Sequence, residues 1–157
     1  MNISQWADVA SILGGVSVVG GIIFAAIQLL QFRRQRLEIA TIEVTRSFQN
    51  PEFARALRVV LSLPAGLSAD ELRARGPTVE DAAVLVSLTI ESVAVMCRRE
   101  VIDIDVVWDL MGGVIMTAWT NLKSWAAEVR AEQRNAKFNE WFEWLAVRLE
   151  RRMTSPD

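Results

Sequence analysis

Hydrophobic positions in the first part of the chain form a single block rather than a periodic pattern. From Val9 to Leu30 the sequence reads VASILGGVSVVGGIIFAAIQLL, 22 residues without a charge, with Asp8 just before it and Arg33, Arg34 and Arg36 just after it. At helical rise the block is about 33 Å long, against about 30 Å of membrane hydrocarbon. The pattern predicts one transmembrane helix. Its four glycines would weaken a helix in water, but in lipid the backbone has no other hydrogen-bond partner and the helix persists. A buried core helix is the competing reading, yet core helices seldom run this long without a polar face. A cleaved signal peptide is disfavoured because no Lys or Arg precedes the block.

After the arginines the pattern turns amphipathic. Leu37, Thr41, Val44 and Phe48 share one helical face, while Arg36, Glu43 and Arg46 fall on polar positions. No Pro or Gly intervenes before Asn50-Pro51, so the membrane helix is expected to continue as a rod to about Gln49. Pro51 suits the first turn of a helix ending near Leu63, where Pro64, Ala65 and Gly66 break the chain. Ser68 is a candidate cap for a short helix over 68–75, with Asp70 and Glu71 in its first turn and Gly76-Pro77 as its stop. Thr78 is then expected to cap a helix whose body, Ala82 to Met96, is 15 residues long and almost wholly apolar. That is too short for a second crossing and predicts the central helix of a bundle.

Asp103 or Asp105 should open a long helix to about Arg134. Val107, Met111, Val114, Ala118, Leu122 and Trp125 form its apolar stripe, widened by Trp108, Ile115, Trp119 and Ala126. Gly112-Gly113 would cost about 1 kcal/mol each relative to Ala, which implies a close helix crossing there. A last helix from near Asn135 is expected to bury Phe138, Trp141, Phe142, Leu145 and Leu149. No segment alternates with period two. The expected fold class is all-α, a single N-terminal transmembrane helix continuing into a cytoplasmic helical bundle. Residues 1–36 form the anchor with its basic inner flank, and 37–157 form the helical domain.

Charge gives the anchor a direction. Arginines beside a span stay in the cytoplasm, so the N-terminus is expected outside and the domain inside. Trp6 is placed to sit at the outer headgroups, and Arg33, Arg34 and Arg36 can each contribute about 1 kcal/mol of attraction to anionic lipid. Within the block, Ser17, Gly21 and Ala25 recur every four residues, as do Ala10 with Gly14 and Ser11 with Gly15. Such small-residue faces let another transmembrane helix, or a second copy, approach closely. Gln28 is near enough to the inner boundary to reach the headgroups.

Composition narrows the chemistry. There is no histidine and no tyrosine, which removes the commonest neutral-pH base and transition-metal ligand. Cys97 is the only cysteine, so no intrachain disulfide or thiolate zinc cluster can form, and it is expected to be a buried small hydrophobe. From Leu37 onward 14 Lys or Arg face 18 Asp or Glu, a balance unsuited to phosphate neutralisation, and nucleic acid is not an expected partner.

Glu91 is the most interesting carboxylate, lying inside an apolar helix where an unpaired charge is costly. An ion pair with Arg130 or Arg148 would explain it, and a proton-handling site is the sharper alternative. Glu100, Asp103, Asp105 and Asp109 cluster in sequence, but they lack calcium-loop spacing, and helix capping accounts for them. Glu140 and Glu143 share a face, yet carboxylate-bridged iron sites also want histidine. Trp144 with Arg148, Arg151 and Arg152 could rest on lipid, though Glu143 and Glu150 favour a solvated face. No catalytic residue, cofactor or metal is expected.

An anchor followed by arginines, Asp103 and Asp105 before a Trp-bearing helix, Trp119, Arg130 and the closing FEWLA at 142–146 occur in an order that resembles a group of uncharacterised bacterial membrane-anchored helical proteins. The resemblance covers most of the chain and implies an inner-membrane setting, without implying a reaction. The expected function is a membrane-anchored interaction or accessory protein without catalytic activity, binding a protein partner at the cytoplasmic membrane surface. An oligomerising membrane effector in a stress or defence response is the alternative, motivated by the Gly-rich block.

Overall fold

The computed structural model describes residues 20–29, 31, 42, 46 and 48–154. The chain divides into two compact units, Met1–Ile39 and Ala40–Asp157. In the first unit residues 20–29 are helical, and Ile22, Ile23, Phe24, Ile27 and Leu29 are all exposed. Among the described residues no helix is long and apolar enough to cross a membrane. Much of the block Val9–Leu30 lies outside the described residues, and so does most of the rod expected to reach Gln49.

The second unit is all-helical, with no strand among the described residues. Its helices are α1 (Pro51–Leu61), α2 (Ala69–Ala74), α3 (Pro77–Arg98), α4 (Ile104–Glu132) and α5 (Glu140–Thr154). Local chemistry explains most starts. The Asn50 side chain accepts the Glu52 N–H at 2.8 Å, and Pro51 occupies the first turn, where its missing donor costs nothing. At α2 the Ser68 hydroxyl accepts from Glu71 N–H at 3.1 Å, while the Glu71 carboxylate accepts from Ser68 N–H at 2.8 Å. This reciprocal pair satisfies two donors that the first turn would leave open. Asp103 caps α4 by accepting the Asp105 N–H at 2.9 Å.

The start of α3 departs from the expectation. Thr78 is not its cap but lies inside the helix, because Pro77 already stands in the first turn and Gly76 is the capping residue. Gly76 has φ of 108°, a backbone conformation that side chains resist, and it offers no side-chain oxygen to the helix.

Four helices surround the core. α3 packs against α1 and α5, α4 packs against the same two, and α3 touches α4 only weakly across the diagonal; α2 bridges α3 and α4 at one end. Val60, Leu72, Val86, Ile90, Ile115, Leu122, Trp125, Phe142, Leu145 and Leu149 fill the centre. α3 is therefore not a central helix sheathed on all sides: Val84, Leu85 and Leu88 are exposed on its outer face, Leu88 by 53%. On α4 the buried line runs through Val107, Gly112, Ile115, Ala118, Leu122, Trp125, Ala126 and Val129, leaving Met111 and Val114 at its margins.

Gly112 has a different reason from the expected helix crossing. A Cβ there would lie 2.9 Å from Cε3 of Trp108, so the glycine makes room for an indole one turn earlier on its own helix. Gly113 faces open space.

Candidate functional site

The polar centre of the domain is built around the start of α5. That helix begins at Glu140, not near Asn135, and residues 135–139 form turns before it. Arg130, in the last turn of α4, holds these turns in place. Its Nε donates to the Phe138 carbonyl at 2.6 Å, one terminal nitrogen donates to the Asn139 carbonyl at 3.0 Å, and the other to the Glu143 carboxylate at 2.6 Å. A planar guanidinium serves three acceptors at once, and Phe138 and Asn139 are thereby kept out of the helix. Phe138 still packs inward, with its ring centroid 5.5 Å from that of Trp125 in an edge-on contact. Asn139 is 2% exposed with φ of 57°, and its side-chain amide and the Trp125 indole N–H find no hydrogen-bond partner among the described residues.

Glu91 meets this junction from α3. Its carboxylate accepts the N–H of Phe142 at 2.6 Å and that of Trp141 at 3.3 Å. These are first-turn donors with no partner inside their own helix, and a carboxylate there also meets the positive end of the helix dipole. The expected ion pair with Arg130 or Arg148 is therefore not what holds Glu91. Arg130 is engaged with Glu143 and the two carbonyls, and the Arg148 guanidinium lies over the Trp144 ring at 5.7 Å. Burial pushes the Glu91 carboxyl above its ordinary value, and the Phe142 and Trp141 N–H groups pull against that shift without cancelling it. With its oxygens occupied by backbone, this carboxylate acts as a structural cap.

The same device recurs at α2. Glu128, on α4, accepts the Ala69 N–H at 2.6 Å. Nearby, Arg73 of α2 reaches Glu132 of α4 at 2.6 Å and Glu80 of α3 at 3.1 Å. Asn121 of α4 donates to the Val60 carbonyl at 3.1 Å, closing the C-terminal end of α1. The contacts of Glu128 with Ala69, of Arg73 with Glu132 and of Asn121 with Val60 have no local sequence signal, since each joins residues about sixty positions apart in the chain.

The other candidates are absorbed in the same way. Asp103 caps α4, and Asp105 pairs with Arg152, whose guanidinium also stands 5.9 Å from the Trp108 ring centroid. Among the described residues no group of three or more acidic or cysteine side chains is gathered to hold a metal ion. Cys97 is buried, and burial followed by the charge of Asp103 pushes its thiol up to about 11. Gly21 and Ala25 are exposed, and a Cβ on Gly21 would meet nothing within 4 Å. Ser17, Gly14, Gly15, Trp6, Arg33, Arg34 and Arg36 lie outside the described residues.

The domain also carries a groove. Between α4 and α5 lies a cavity of about 510 Å³, lined by Met116, Thr117, Trp119, Thr120, Val147 and Met153, with Lys123 and Glu150 adding opposite charges. Thr117 and Thr120 donate their hydroxyls to the carbonyls of Gly113 and Met116 in their own helix, at 2.9 Å each. Those donors are spent, and the groove presents mainly carbon and sulfur.

A family model described as a domain of unknown function (DUF4760) matches residues 15–149. No curated protein and no solved structure matches the chain.

Proposed function

The chain belongs to this family of domains of unknown function (DUF4760), and from that starting point we propose that it is a membrane-anchored interaction or accessory protein without catalytic activity. Residues 9–30 cross the inner membrane once with the N-terminus outside, and the helical domain binds a protein partner at the cytoplasmic surface. The observation that carries the reading is the apolar helix at 20–29, whose large side chains are exposed on every side, Phe24 by 63%. An all-round apolar surface of that kind suits lipid and is costly in water. It lies within the 22-residue uncharged block, whose far side carries three arginines. Glu91 and Glu128 are committed to capping, while the groove between α4 and α5 remains open to an apolar segment.

Fractionation tests the anchor. The full-length chain should sediment with membranes and resist alkaline carbonate, and recovery in the soluble fraction would overturn the reading. A photo-cross-linking residue in place of Thr120, at the groove, should trap a discrete protein adduct in cells, whereas no adduct above background would count against partner binding there.

A further inference from the structure

The outer face of α3 carries a pattern that its own domain does not use. Asp81, Leu85, Leu88, Ser92 and Val95 on the helix and Arg99 at its C-terminal cap follow one another at spacings of 4, 3, 4, 3 and 4, the seam of a helix that packs lengthwise on another helix. Asp81, Leu85, Leu88, Ser92 and Arg99 are exposed, and Val95 is half-buried. Neither Asp81 nor Arg99 makes an ion pair among the described residues. The Ser92 hydroxyl donates to the Leu88 carbonyl at 2.8 Å, so its side chain asks for no further partner. The core face of α3, with Val86, Ile90, Val93 and Ala94, points the other way.

The geometry points to a second copy of this chain as the occupant, its α3 antiparallel to the first across a two-fold axis beside residue 90. The seam is symmetric about that point. Asp81 then meets Arg99 of the other copy, Leu85 meets Val95, and Leu88 enters the space above the small Ser92, each contact occurring twice as an isologous interface requires. Charge selects the direction, because a parallel pair in register would set Asp81 against Asp81 and Arg99 against Arg99, whereas the antiparallel pair makes two attractive contacts at its ends. The inference stands on the cytoplasmic domain alone and does not depend on the anchor.

Charge reversal in the full-length chain, purified in mild detergent and weighed by sedimentation equilibrium, tests it. The natural chain should dimerise. Asp81→Arg and Arg99→Asp should each weaken dimerisation by about tenfold or more, since each turns two attractions into repulsions, and Asp81→Arg combined with Arg99→Asp should restore it. Leu88→Glu, at an exposed position, should give monomer with an unchanged circular dichroism spectrum. A natural chain that stays monomeric overturns the proposal. So does a dimer equally tight in all four charge forms, which would place the contact elsewhere, including in the anchor, and so does failure of the double reversal to recover what the folded single variants lose.

Discussion

At the scale of single residues, two glycines and one carboxylate show how local identity is set by neighbours that sequence spacing does not reveal. Gly112 and Gly113 look equivalent in the sequence, but only Gly112 has an indole against the place where a Cβ would stand. Gly113→Ala should therefore raise stability by about 0.5–1 kcal/mol through helix propensity. Gly112→Ala should lower it, because Trp108 must shift and its contact with Arg152 goes with it. Thermal melts of the two variants check the opposite signs. Glu91→Ala should cost about 1–3 kcal/mol by leaving the Trp141 and Phe142 N–H groups short of an acceptor. Glu91→Gln keeps one acceptor oxygen and should cost less. Hydrogen exchange at Trp141 and Phe142 should quicken in the alanine variant ahead of the rest of the bundle.

At the scale of elements, helix starts were legible where a neighbouring side chain caps the first turn, but not at α3, where Gly76 caps without a side chain and Thr78 falls inside the helix. Pro51, Ser68 with Glu71, and Asp103 each satisfy donors within a few residues, so their spacing carries the information. The start of α5 was not legible. Phe138 keeps helical spacing with Phe142 and Leu145, and only the grip of Arg130 on the carbonyls of 138 and 139 takes it out of the helix. The role of Glu91 was half legible: its need for a partner followed from its apolar surroundings, but the partner is backbone, which has no residue type to search for. Arg130→Lys should not preserve this junction, because an ammonium cannot hold two carbonyls and a carboxylate in the guanidinium's planar geometry. A loss of about 1.5–3 kcal/mol in urea unfolding is expected, with early exchange of amides 135–139.

At the scale of the whole molecule, the acids divide by the direction in which folding moves them. Arg73 holds Glu132 below its ordinary 4.5, the Ser68 backbone and hydroxyl hold Glu71 below 4.5, and Arg152 holds Asp105 below 3.8. Their contribution is present above those ordinary values and is lost as pH falls through the lowered ones. Glu91 behaves oppositely: burial raises it, so its contribution is complete below 4.5 and fades as pH rises through the raised value. Urea midpoints should accordingly fall on acidification below about pH 4.5. Glu91→Gln should gain on the natural chain as pH rises above 4.5, and parallel curves across that window would contradict the assignment. The solitary thiol of Cys97 adds a last consequence. Sheltered in α3 and kept protonated to about pH 11, it is a poor target for alkylating reagents while the bundle is closed. Its labelling rate therefore clocks how often the bundle opens, a gauge that needs no engineered probe.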